Sequence, residues 1–185
     1  DTPYGGGPGM VMKADVLSRA VDAVPRQGKS LRILLSAQGQ VFSQSMAQEL
    51  AGYDQLVLIC GHYEGVDERF IATRVDREIS IGDYVVTGGE VPALVICEAV
   101  ARLLPGVLGN ENSTADDSHG QGVLEHPQYT RPAQFEEIPV PAVLLGGNHG
   151  EIAVWRRQAQ LKRTLARRPE LLEKASLTHE DRAFL

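Results

Sequence analysis

The chain has 185 residues, 43% of them hydrophobic, and a formal net charge of −6 with histidines neutral. That is apolar material for one large domain, or a domain plus a small one, and there is no run of about 18 apolar residues that would form a membrane span. The acidic balance argues against a general polyanion binder. The chain opens Asp1-Thr2-Pro3 with no signal peptide visible, and it reads as starting at an internal position with an N-terminal segment expected before it. Cys60 and Cys97 sit in apolar runs and read as buried, reduced thiols of a cytoplasmic protein; no zinc-ligand spacing is present.

Residues 3–10, PYGGGPGM, are too rich in glycine and proline for regular structure and read as a connection, with a phosphate-hugging loop as the alternative. The pattern then predicts a helix over Val11–Val24, a strand over Leu31–Leu35 followed by a turn over Ser36–Gln40, and a helix over Ser43–Ala51. A strand over Gln55–Cys60, a short helix over Asp67–Thr73 and a brief strand over Glu78–Ile81 follow. Alternating strands and helices imply an α/β fold with a mostly parallel sheet covered on both faces. Gly89–Leu104 is the strongest helix of this half. It is apolar nearly all round, which predicts burial on several sides, and Glu98 and Arg102 form an i,i+4 pair on it.

Residues 110–122, NENSTADDSHGQG, read as a polar linker. After a Pro-rich stretch, Asn148 and Glu151 make a capping-box-like start to a helix that runs to Arg168, where Pro169 stops it; Thr178 and Asp181 are placed to cap a last short helix. Between Arg156 and Arg168 lie six basic residues with no acid among them. Arg156, Arg163 and Arg167 fall on one stripe of that helix, a pattern that points to phosphate contacts over an ordinary solvated face. Trp155 reads as core, and neither His62 nor His149 is given a catalytic role.

The most informative features are two glycine-bearing loops that follow apolar strands: GHYEGVDER (Gly61–Arg69) and SIGDYVVTGGEVP (Ser80–Pro92). Neither fits the phosphate-binding loop or dinucleotide fingerprint. Glycines at Gly61, Gly65, Gly82, Gly88 and Gly89 allow sharp turns or close approach, so a ligand here is held mainly by backbone groups, as suits a flat heterocycle such as adenine. The plainer reading is two tight connections of an α/β sheet.

Taken in order, PYGGGPGM, LSAQG, GHYEGVDER, SIGDYVVTGGE, PGVLGN…STADDS, YTRP, LLGGNHGEI and WRRQ…RTLARRPELL span nearly the whole chain. In these blocks it resembles the bacterial tRNA (guanine-N1)-methyltransferases of the TrmD type. The resemblance implies a SPOUT-type fold: a trefoil-knotted, mostly parallel sheet flanked by helices, followed by a small helical C-terminal domain. Its expected limits are 1–110 for the S-adenosylmethionine (SAM) domain, 111–123 for the linker and 124–185 for the tRNA-binding domain. It also implies a homodimer with the active site between subunits.

On the same basis the activity expected is SAM-dependent methylation of N1 of the guanine immediately 3′ of the anticodon. The residues that match the family's catalytic positions are Asp117, as general base; Arg102, stabilising charge at guanine O6 and orienting Asp117; and Glu64, contacting the guanine or an associated Mg2+. The cofactor is expected against three turns, from Leu35, Ser36, Gln38 and Gly39; from Gly61, Tyr63 and Gly65; and from Ser80, Ile81, Gly82, Asp83, Tyr84, Val85, Val86, Gly88, Gly89 and Pro92. Arg156, Arg163 and Arg167 are the expected tRNA contacts. Ala37 stands where many members have proline, which loosens the first turn by about 0.5 kcal/mol through unfolded-state entropy. The alternatives are a SPOUT methylase with another RNA target and an adenosine-binding module without chemistry.

Overall fold

The computed structural model describes residues 1–107, 118–120 and 122–185. The chain divides into two compact units, Asp1–Gly109 and Asn110–Leu185.

The first unit is built on a parallel sheet of order β2-β1-β3, with β1 at Ser30–Val41, β2 at Gln55–Cys60 and β3 at Arg77–Ser80. The register of β1 on β2 is continuous from Ser30↔Gln55 to Leu35↔Cys60. Alternation along β1 sends Leu31, Ile33 and Leu35 to one face, where they meet α2 (Gln44–Leu50) and α4 (Glu90–Ala101) through Met46, Ala47, Leu50, Ile96 and Val100. Leu34 and Ile59 point to the other face and pack on Val21 of α1 (Ala14–Asp22) and Phe70 of α3 (Glu68–Arg74). Both faces of the sheet are therefore covered, as its apolar strands require.

Three features depart from the sequence pattern, each for a local reason. Helix α1 begins at Ala14, not Val11, because Met12 is drawn into extended pairing beside Val66. The Met12 N–H donates to the Gly65 carbonyl (2.9 Å), and its carbonyl accepts from the Asp67 N–H (3.1 Å). Strand β1 does not end at Leu35. Leu35 and Gln40 both pair with Ile79, so residues 36–39 leave the ladder as a loop and the strand resumes to Val41. Helix α4 is not buried all round: Pro92, Ile96 and Val100 face the sheet, whereas Val91, Leu94, Val95 and Cys97 are exposed. The expectation of two buried thiols fails on the same ground, since Cys97 lies on that outer face and Cys60 is half-buried. Both cysteines are free.

Close approach fixes how the loops are set. A methyl carbon placed on Gly39 would lie 2.5 Å from both the Glu78 carbonyl carbon and the Ile79 nitrogen; one on Gly89 would lie 2.6 Å from Cys60 Cα. Neither crossing leaves room for a side chain.

The second unit centres on α6 (His149–Arg167), preceded by an antiparallel ribbon of β4 (Gln134–Phe135) and β5 (Ile138–Pro139) and by the short α5 (Ala142–Leu145). Asn148 caps α6 by accepting from the Gly150 and Glu151 N–H groups. A 3-10 turn at Pro169–Leu171 follows, and α7 (His179–Phe184) starts in the Thr178–Asp181 capping box that the sequence suggests. Leu161 and Thr164 are the buried centre of α6, and Thr164 Oγ1 both donates to the Gln160 carbonyl and accepts from the Leu124 N–H. Among the described residues, no helix is long and apolar enough to cross a membrane.

Candidate functional site

The excursion of β1 from its ladder after Leu35 and the loops that leave the carboxyl ends of β2 and β3 converge as three loops on one cleft of about 290 Å3. Crevices outside the carboxyl ends of parallel strands are where open α/β sheets bind ligands. Each loop is held by its own chemistry. In the first, the Ser36 hydroxyl accepts from the Gln38 N–H (3.2 Å). In the second, Tyr63 takes a left-handed backbone (φ 60) beside Gly65 (φ 132), an arrangement that costs energy for an aromatic residue. In the third, the buried Ser80 hydroxyl accepts from the Gly82 N–H (3.1 Å) and donates to the Gly82 carbonyl (3.0 Å). The second and third loops are tied together where the Gly89 N–H donates to the Gly61 carbonyl at 3.0 Å.

The end of the segment 3–10 meets the cleft wall at Glu64. The Glu64 N–H donates to the Met10 carbonyl (2.9 Å), and a Cβ on Gly9 would collide with the Glu64 carboxylate. Beyond the second loop, Asp67 caps α3, and its carboxylate is held down to about 2 by hydrogen bonds from the Arg69 guanidinium and N–H. Burial pushes the Cys60 thiol up, with Glu90 and Cys97 adding to the shift.

Over residues 1–174 the chain matches the profile of the family described as tRNA (Guanine-1)-methyltransferase TrmD. Among curated proteins, a tRNA (guanine-N(1)-)-methyltransferase of Moorella thermoacetica is 57% identical over 188 aligned residues, covering 100% of this chain and 75% of the relative. Proteins of the same name from Dehalococcoides mccartyi and Chloroflexus aggregans are 53% and 55% identical over 100% of this chain, covering 75% and 74% of their own lengths. The chain belongs to the tRNA (guanine-1)-methyltransferase family. It has the α/β fold expected, a parallel three-stranded sheet flanked by helices, with a smaller, mainly helical unit that carries its own two-stranded ribbon.

Of the residues that the resemblance to this family assigns to SAM, all line the cleft except Gly39 and Asp83. Gly39 lies off the wall because its place is the crossing of β1 over β3, and Asp83 is exposed. Glu64 is on the wall. Arg102 is not; it is the exposed C-cap of α4, its N–H donating to the Glu98 carbonyl (3.2 Å). Asp117 lies outside the described residues.

The sequence pattern puts His62 and Thr87 inside the expected turns without assigning either a contact, and it passed over Val66, Glu68 and Ile71; all five also form the wall. It also passed over Glu90, whose carboxylate meets His62 Nε2 at 2.5 Å and is drawn below its ordinary pKa first by that imidazole and then by its own backbone N–H. An acid in the first turn of a helix, directly after a glycine pair, was the available signal.

In the second unit Arg156 and Arg167 are exposed, whereas Arg163 is half-buried and donates to the Glu125 carbonyl (3.3 Å). The six cations of this segment are not all without acid partners. Arg157 makes a two-pronged bond to Asp181 (3.0 and 2.6 Å), and Arg168 pairs with Glu170. Trp155 is half-buried against His126 and Tyr129.

Proposed function

We propose that the chain transfers a methyl group from SAM to N1 of the guanine immediately 3′ of the tRNA anticodon, position 37. The observation that carries this reading is the convergence of the three family motifs on one cleft at the carboxyl ends of the strands, in a chain that matches the family almost end to end. The cleft suits the adenosyl group: Gly61, Gly65, Gly82, Gly88 and Gly89 line it with no side chain between the backbone and a flat ring, and Leu35, Ile81 and Pro92 supply apolar walls. When bound, SAM supplies an electrophilic sulfonium methyl, so the protein's task is to prepare the nucleophile and align it.

Guanine N1 carries a proton at neutral pH. Asp117 accepts that proton as the N1 lone pair becomes available, and Arg102 stabilises the negative charge that develops on O6 and orients Asp117. Glu64 contacts the guanine, or holds Mg2+ jointly with substrate oxygens; no cluster of metal-ligating side chains exists among the described residues, so a lone carboxylate would need those oxygens. Residues 1–110 form the SAM domain, 111–123 the linker that brings Asp117 to the base, and 124–185 the tRNA-binding domain, with Arg156 and Arg167 on phosphates and Arg163 shared with Glu125.

The working unit is a homodimer. The outer face of α4 exposes Val91, Leu94 and Val95 in a single chain, and the same face on a second copy would cover it. The reaction places the enzyme in the cytoplasm with its tRNA.

The test is Asp117→Asn with unmodified tRNA and labelled SAM, mapping the modified nucleotide. The variant should bind SAM as the wild type does and lose methyl transfer by at least about 100-fold. Wild-type chain that binds SAM but methylates no tRNA would favour the adenosine-binding module, and a label at another nucleotide would favour another RNA target.

A further inference from the structure

His62 stands on the cleft wall, and Glu90 stands behind it. The two residues belong to different loops. His62 is in the turn after β2, and Glu90 opens α4 after the third loop. Their side chains close the gap at 2.5 Å, Nε2 to Oε1. Between them sits Gly88, with so little clearance that a Cβ there would lie 2.5 Å from Glu90 Oε2 and 2.5 Å from His62 Cε1. The pair thus arches over the glycine turn at the place where the Gly89 N–H already reaches the Gly61 carbonyl.

The His62 backbone is fixed independently. Its N–H donates to Met12 Sδ (3.3 Å), and its carbonyl accepts from the Gly65 N–H (3.2 Å). Only the ring is left to Glu90, with Tyr63 tilted beside it at a centroid distance of 6.0 Å. An ionised carboxylate can only accept, so the Nε2 that meets it carries the hydrogen and the ring's tautomer and direction are set.

We infer that Glu90 is a positioning residue: it holds the His62 ring on the cleft wall and clamps the second loop to the third, so that the pair governs affinity for adenosyl ligands and not the rate of methyl transfer. This rests on the reading of the cleft as the SAM site. Glu90 does not itself line the cleft, so its effect on a ligand passes through His62 and through the spacing of Gly61 and Gly88.

The test is a double-mutant cycle on the whole chain, with SAM and S-adenosylhomocysteine as probes in calorimetric titration. Glu90→Ala and His62→Ala should each weaken both ligands by about tenfold, the loss of one charge-assisted hydrogen bond at a half-open site. The double variant should be no weaker than His62→Ala alone, since one interaction is removed in all three. Glu90→Gln keeps an acceptor oxygen and should recover binding to within about threefold of wild type. Single-turnover transfer by Glu90→Ala at saturating SAM should slow by less than about threefold while the SAM Kd rises about tenfold.

Effects that multiply in the double variant would overturn the inference. So would an unchanged Kd in Glu90→Ala, or a Glu90→Gln variant as weak as Glu90→Ala. A fall in the saturated rate matching the fall in affinity would instead put Glu90 in the transfer step. Wild-type chain that binds neither probe would sink the assignment of the cleft itself. Wild-type binding with uncoupled variants would sink only the role of the pair. Thermal melts separate folding from binding, because Glu90→Gln leaves an exposed polar residue of the same shape.

Discussion

Gly39→Ala is the sharpest test of how the cleft is held open. Gly39 has an unremarkable backbone φ, so alanine brings no conformational strain of its own, only a methyl group. That methyl would lie 2.5 Å from the Glu78 carbonyl carbon and the Ile79 nitrogen and 2.7 Å from the Glu78 oxygen. Carbon atoms in contact sit near 3.5–4.0 Å, so β1 and β3 must separate by about 1 Å at this point. The atoms that would have to yield are all main chain, on a strand that pairs through Leu35↔Ile79 and again through Gln40↔Ile79.

Separation there strains about two ladder bonds at roughly 1 kcal/mol each and loosens Ile79, which is fully buried, so the total cost is about 3 kcal/mol. Ile79 and the residues 36–38 also form part of the cleft wall, so SAM affinity should fall with stability. Urea unfolding followed by circular dichroism, with SAM titration on the folded fraction, measures both. A variant within about 0.5 kcal/mol of wild type and with unchanged SAM affinity would refute the close crossing, and with it the account of why the first loop stands where it does.

The other predictions concern the second unit and the outer face of α4. Asp181 is nearly buried, and its carboxylate is drawn below the ordinary range first by the Arg157 fork, so the folded pKa lies under the unfolded one. Its contribution is therefore complete above about pH 4 and lost as pH falls through the lower folded value; Asp181→Asn should flatten the acid limb of stability against pH in urea titrations. Asp181→Ala should cost about 2 kcal/mol, less than for a fully buried pair because Arg157 is partly open to water, and should show as a lower unfolding midpoint. Arg156→Glu with Arg167→Glu should weaken tRNA binding more at low salt than at high salt and reduce the slope of log affinity on log salt by about one per cation, read from filter binding across a salt series. Leu94→Glu should leave folding within about 0.5 kcal/mol, because the residue is exposed in the single chain, yet halve the mass seen by light scattering if α4 pairs with a second copy.

What could be read from the sequence was what a local pattern encodes. Strand β2 begins and ends where the sequence places it, at Gln55 and Cys60, and Asn148 and Thr178 each cap the helix that their side chains announce. What could not be read depends on partners distant in the chain. Met12 leaves the α1 pattern because residue 66 offers it a main-chain ladder, a pairing that helix propensity cannot foresee. The basic run of α6 looks acid-free until Asp181, on another element, comes alongside Arg157. Cys97 and Leu94 sit in an apolar run whose length suggests burial, but a run reports composition and not which side of a helix finds a cover.

The glycines sharpen the point. In the sequence, Gly61, Gly65, Gly82, Gly88 and Gly89 look alike, as residues that free a backbone to meet a ligand, and the resemblance adds Gly39 to the expected SAM contacts. In the fold they divide by what a Cβ would strike. Gly39 and Gly89 abut main chain from β3 and β2, Gly88 abuts the His62–Glu90 pair, and Gly65, with φ 132, meets nothing within 4 Å. The first three thus space the loops relative to the sheet and to each other, and among these four Gly65 alone is required for its backbone angle. The cleft is set by crossings of main chain more than by the side chains around it. A single methyl at Gly39 or Gly89 should therefore do more harm than most substitutions on the wall itself.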